Sequence, residues 1–144
     1  MSDSTISTIE RACARLVHGY ARAADFGDSA AAAALFADDG ILEMPGGKRF
    51  VGRAAIRQRL DEQPASQVSR HVISNLLVDA LGENRARGFC YLTLYRGTRG
   101  DTGGPLPSAA PFVIGHYEDE YVRNGADWRF ASRRLTFTFR RGDG

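Results

Sequence analysis

Three side chains in this 144-residue chain have the types needed to move protons within one pocket: Tyr20, Asp25 and His71. An imidazole, with an unperturbed pKa near ~6.5, both accepts and donates protons close to neutral pH. A carboxylate on its second nitrogen fixes the tautomer and stabilises the imidazolium that forms. A phenol, or the amide of Asn75, supplies a hydrogen bond to a substrate oxygen. Acid–base chemistry of this kind needs neither metal nor cofactor. Each member also has a plain structural reading: His71 as a satisfied core histidine, Asp25 as a helix cap, Tyr20 as a core aromatic. Asp119 is open in the same way. It is either a buried base of raised pKa or, the favoured reading, an ion-pair partner for Arg133 or Arg134.

The elements that must position these groups follow from periodicity. Ile6, Ile9, Cys13, Leu16, Val17 and Tyr20 recur three and four residues apart, which predicts an amphipathic helix with Tyr20 on its buried face. Ser7 and Glu10 have capping-box spacing and mark its expected start. Phe26-Gly27-Asp28 breaks the pattern, and Asp28 opens a short second helix through the alanine run. Asp38-Asp39-Gly40 reads as a turn, 41–44 as a short strand, and 53–63 as a third helix closed by Pro64.

From Ser69 the period becomes two, predicting strands over 70–81, 85–96, 112–122 and 128–139. A Gly- and Pro-rich loop over 97–110, expected to be mobile, joins the two hairpins. Alternation places Asn75 on the His71 face, and Tyr117, Asp119 and Tyr121 together opposite His116, Glu118 and Glu120. Trp128 and Phe130 differ in parity from Leu135, Phe137 and Phe139, so a bulge is expected near Ser132-Arg133. The first hairpin is apolar on both faces and must be covered twice, by helices and, most simply, by a partner subunit.

Composition narrows the classes. One domain over 1–144 is expected, with no internal repeat or linker. No apolar run approaches the ~20 residues of a membrane helix, and the amino terminus lacks the basic-then-apolar order of an export signal, so a cytoplasmic protein is expected. A net charge of +2 and scattered arginines give no nucleic-acid footprint. Cys13 and Cys90 make no disulfide framework, and the three histidines have no metal-ligand spacing. A phosphate loop, a dinucleotide fingerprint and a nucleophile elbow are all missing.

The helices first, Leu35-Phe36-Ala37-Asp38-Asp39-Gly40 between, and the final hairpin Gly115-His116-Tyr117-Glu118-Asp119-Glu120-Tyr121-Val122-Arg123 with Asp127-Trp128-Arg129-Phe130 resemble the SnoaL-like branch of the NTF2-like superfamily. The resemblance spans nearly the whole chain. It implies an α+β fold: a cystatin-like cone in which a curved mixed or antiparallel sheet wraps three N-terminal helices around an internal cavity. It also implies dimers through the outer sheet face. Tyr20, Asp25 and His71 within Arg70-His71-Val72-Ile73-Ser74-Asn75 look like the tyrosine, aspartate and histidine of bile-acid dehydratases and, less closely, of scytalone dehydratases. The latter have a tyrosine just before the aspartate, where this chain has Ala24, which disfavours their fungal pigment substrate.

On that resemblance, His71 and Asp25 form an elimination dyad with Tyr20, while Asn75, Tyr117, Asp119 and Trp128 bind a small hydrophobic cyclic, polyketide-like or steroid-like substrate. The expected activity is that of a cofactor-independent dehydratase or isomerase. The alternative is a non-catalytic carrier of a hydrophobic ligand, because this fold hosts both.

Overall fold

Ser2, rather than Ser7, starts the first helix of the computed structural model, which describes residues 1–107 and 110–142. The Ser2 hydroxyl accepts the Thr5 amide at 3.1 Å, so the Ser7–Glu10 spacing falls inside α1 (Asp3–Asp25) and caps nothing. Ile9, Cys13, Leu16, Val17 and Tyr20 are buried, as their spacing predicts. At the other end the amide of Asp28 bonds the carbonyl of Ala23 at 2.9 Å, and that of Gly27 bonds Ala24 at 3.3 Å. This paired closure needs a left-handed residue, which Gly27 supplies with φ 70°. Asp28 then caps α2 (Ser29–Ala34) by accepting the Ala31 amide at 3.0 Å. One tight closure thus sets both the end of α1, where Asp25 sits, and the start of α2.

The chain continues as β1 (Phe36–Met44), β2 (Lys48–Val51), α3 (Arg53–Asp61), β3 (Gln67–Ala80), β4 (Arg85–Thr98), β5 (Val113–Asn124) and β6 (Asp127–Arg140). The sheet order is β2-β1-β6-β5-β4-β3, with β1 parallel to β6 and every other pair antiparallel. The result is an α+β fold with a curved mixed sheet around the helices. Asp38-Asp39-Gly40 is not a turn. It lies inside β1, where the register to β6 shifts between Phe36 and Ile41. A Cβ at Gly40 would stand 2.9 Å from the Ala37 carbonyl oxygen, so the bulge requires glycine. The two long hairpins extend a residue or more past most of their expected ends, and the crossing loop between β4 and β5 includes residues 108 and 109, which lie outside the described residues.

Bulges decide which rows face inward. In β6 the partner of Tyr121 is Phe130 and that of Glu120 is Ser132, so Ala131 is the extra residue, immediately before the expected position. That slip brings Phe130, Arg133 and Leu135 onto the inner face beside Tyr117 and Tyr121 of β5. Tyr20 packs edge-on against Phe36, Tyr117 and Phe130, with ring centroids 6.1–6.3 Å apart. No helix among the described residues is long and apolar enough to cross a membrane.

Both thiols are fully buried in this core. Burial, aided by the nearby Asp119 charge, pushes Cys13 up to about 12, and burial pushes Cys90 up to about 11. Neither is nucleophilic near neutral pH. In the native protein at about pH 8, alkylation of either cysteine is expected to be at least about a hundredfold slower than after denaturation. Peptide mass mapping with a thiol alkylator checks this, and rapid native labelling of Cys13 would contradict the buried core.

Candidate active site

Asp25 ends α1, where the helix dipole opposes a carboxylate. Its inward seat is held by donors from β3. The backbone N–H of His71 donates to both carboxylate oxygens, at 3.0 and 3.1 Å, and His71 Nδ1 lies 2.5 Å from Asp25 Oδ1. The carboxylate can only accept, so Nδ1 is the donor, and in the neutral imidazole Nε2 is the basic nitrogen. Nε2 makes no hydrogen bond with the described residues. The side chains retain only 13% exposure for His71 and 9% for Asp25, so the contact is sheltered from solvent screening.

Both residues line a cavity of about 280 Å³. Leu92 and Leu94 of β4, Leu135 and Phe137 of β6, and Met44 and Leu60 form its apolar wall. Tyr20 and Tyr117 also line it, and neither hydroxyl has a partner among the described residues. Burial drives both phenols well above their ordinary range, so they remain neutral donors at any working pH. A histidine nitrogen, its orienting carboxylate and two phenolic donors therefore face one space walled by both apolar and polar side chains. That set can take a proton from carbon, hold the oxygen of the anion that forms, and return the proton elsewhere.

Behind the phenols lies a fully buried ion pair. Arg133 donates through Nε to Asp119 Oδ1 at 2.9 Å and through Nη2 to Oδ2 at 3.3 Å, and Tyr121 donates to Oδ2 at 3.3 Å. The guanidinium carbon stands 3.6 Å from the Tyr117 ring centre and 4.7 Å from that of Tyr20. Burial works against the arginine's charge, but Asp119 together with the Tyr117 and Cys90 groups outweighs it, and the guanidinium holds its proton more firmly than usual. The ion-pair reading of Asp119 with Arg133 is therefore the observed one, and a place for Asp119 among the substrate-binding groups is corrected: it does not line the cavity.

Two further expected positions are also corrected. Asn75 does not share the His71 face. It has φ 54° and sits where the β3–β4 register slips between Ser74 and Leu77, so the bulge breaks the alternation and turns Asn75 to solvent. Trp128 is 7% exposed but packs within the core cluster rather than along the cavity. His116 lies outside the cavity, stacked on Phe89 with Nε2 3.2 Å from Glu118. The sequence reading missed Arg96, which lines the wall. A signal existed, because Arg96 continues the inward parity of Cys90, Leu92 and Leu94.

The profile of the SnoaL-like domain family matches residues 6–134, and the chain belongs to that family. No functionally curated protein matches this sequence. Among solved structures, a scytalone-dehydratase-like protein from Novosphingobium aromaticivorans is similar at 22% identity and TM-score 0.82, with 96% of this chain and 89% of that chain covered. A type 2 hexachlorocyclohexane dehydrochlorinase, LinA, is similar at 14% identity and TM-score 0.79, covering 96% and 90%. A protein of unknown function from Mycobacterium tuberculosis is similar at 26% identity and TM-score 0.72, covering 87% and 73%. Other similar structures are an NTF2-like protein with a cystatin-like fold and a protein of unknown function with a cystatin-like fold, and the sheet and helices described above are that fold.

Proposed function

We propose that the protein is a cofactor-independent dehydratase or isomerase that acts on a small hydrophobic cyclic substrate, of polyketide or steroid type, by His71–Asp25 acid–base catalysis. The observation that carries this reading is the 2.5 Å contact between His71 Nδ1 and Asp25 at the cavity wall, with Nε2 unbonded among the described residues. In the elimination, Nε2 takes the proton from the carbon beside a substrate carbonyl. The C–H electron pair passes into the enolate, whose oxygen Tyr20 and Tyr117 hold. The enolate then reforms the carbonyl as the C=C bond forms and the β C–O bond breaks, and the Nε2 proton leaves with the hydroxyl as water. The imidazole is regenerated, and a β-hydroxy ketone has become an enone plus water. Returning the proton to another carbon instead gives isomerisation. Support of a coarser kind comes from two structural relatives whose names denote eliminations, a dehydratase and a dehydrochlorinase. A mere carrier would need none of the polar groups in the wall.

Incubation with bicyclic β-hydroxy ketones in deuterated water, followed by proton NMR, tests the reading. Exchange of the proton beside the carbonyl and appearance of the enone are expected with the wild type and are expected to vanish in His71→Ala. If both persist in the variant, the dyad is wrong.

The reading extends to a homodimer through the outer sheet face and to a cytoplasmic setting that suits two free thiols. Val72, Tyr91, Tyr95 and Ile114 are exposed there, and Leu77 and Phe139 are each 67% exposed. Sedimentation equilibrium is expected to return a dimer at micromolar concentration, and Leu77→Glu combined with Tyr91→Glu is expected to return a monomer. A monomeric wild type would count against the outer-face dimer.

A further inference from the structure

We propose that the substrate carries a carboxylate and that Arg96 binds it, with Arg59 and Arg99 alongside; this rests on the cavity being the substrate site. Four arginines line the cavity, Arg59, Arg70, Arg96 and Arg99, against a single acid, Asp25, which is committed to His71. Arg70 is satisfied locally, donating to the Ser69 carbonyl at 2.7 Å and stacking on Phe26. Arg59 pairs with Glu62 at 4.0 Å and lies over the Phe50 ring at 5.9 Å, and among the described residues it has no other ion pair. Among the described residues Arg96 forms no ion pair, and its Nε is buried without an acceptor. Its guanidinium lies over the Phe112 ring at 4.9 Å, which steadies the plane but offers no anion. Burial first, then the charges of Arg59 and Arg140, make it a weaker base than a free arginine.

A partly buried guanidinium beside like charges costs free energy unless an anion arrives, and its planar fork fits a carboxylate in two parallel hydrogen bonds. Register also places it. Arg96 pairs with Ser69 across β3 and β4, and the next inward pair is Leu94 with His71. Two residues along a strand span about 7 Å, so the acid group would lie about 7 Å along the strand from the His71 base. Leu92, Leu94, Leu135 and Phe137 line the same cavity, and they suit a ring system rather than a polar chain. The substrate class is therefore a ring acid: an apolar cyclic skeleton with the reacting carbon at one end and a carboxylate at the other.

Isothermal titration with naphthoate and naphthamide, matched in shape and differing in charge, tests this. The wild type is expected to bind naphthoate about tenfold or more tightly than the amide, a preference that falls as salt is added. Arg96→Gln is expected to remove the preference while leaving amide binding in place, and Arg96→Lys to keep part of it. Equal binding of acid and amide by the wild type, binding of neither, or a preference unchanged by salt overturns the proposal even if Arg96→Gln folds poorly. So does a preference that survives in folded Arg96→Gln. Neither probe has a hydroxyl to eliminate, so the measurement is independent of turnover. His71→Ala is expected to keep the acid preference, and a failed dyad mechanism would leave this result standing.

Discussion

Asp25→Asn is expected to lower kcat/KM by about 10²–10⁴-fold without unfolding the protein, and His71→Ala by a comparable factor. The asparagine keeps the volume, and its carbonyl can still accept the backbone N–H of His71, which now bonds both Asp25 oxygens. What it cannot do is accept the ring proton with both oxygens available. If the amide nitrogen faces Nδ1, that nitrogen becomes the acceptor and the proton moves to Nε2, so the base that faces the cavity is gone. If the carbonyl faces Nδ1, the tautomer survives but the imidazolium loses its compensating charge. Long-range nitrogen–proton NMR of the imidazole reads the first outcome directly, with no substrate present. Steady-state kinetics reads both. Turnover that persists in both variants would sink the dyad, whatever the tautomer.

The second large effect concerns stability. Removing the carboxylate in Asp119→Ala is expected to cost about 3–5 kcal/mol, because it strands a guanidinium with no exposed surface and no other anion beside it among the described residues. An arginine cannot shed its proton, so that cost is expected to be nearly the same at every pH in the working range. Arg133→Met differs in kind. There the stranded group is a carboxyl that burial already pushes up, and without Arg133 it can take a proton and become neutral. Its folded pKa then stands above its unfolded one, so the folded state binds the extra proton, and stability present at low pH is lost as pH rises through the folded value. Urea unfolding at about pH 5 and about pH 8 should therefore show a larger loss at the higher pH for Arg133→Met and no such trend for Asp119→Ala. A pH-independent loss in both would mean that Asp119 stays charged alone. Because Arg133 also lies against the rings of Tyr117 and Tyr20, either change is expected to disturb the phenols that face the cavity.

Local rules carried much of this protein. Three- and four-residue spacing was enough to bury Tyr20, the Phe26-Gly27-Asp28 break was enough to end α1, and alternation was enough to put Tyr117, Asp119 and Tyr121 on one inner row. A parity conflict within β6 even announced its bulge. These features depend on neighbours a few residues away, so one sequence contains them. Tertiary structure decided the rest. Asn75 left the site because a slip between β3 and β4, a property of the pair, overrode the alternation of one strand. Arg96 entered it because its Nε is buried without a partner among the described residues, which depends on chain neighbours far apart in sequence. Asp25 could have been an ordinary helix terminus; it turns inward because the closed sheet brings three donor contacts from a residue 46 positions away, more than the free helix end could offer it.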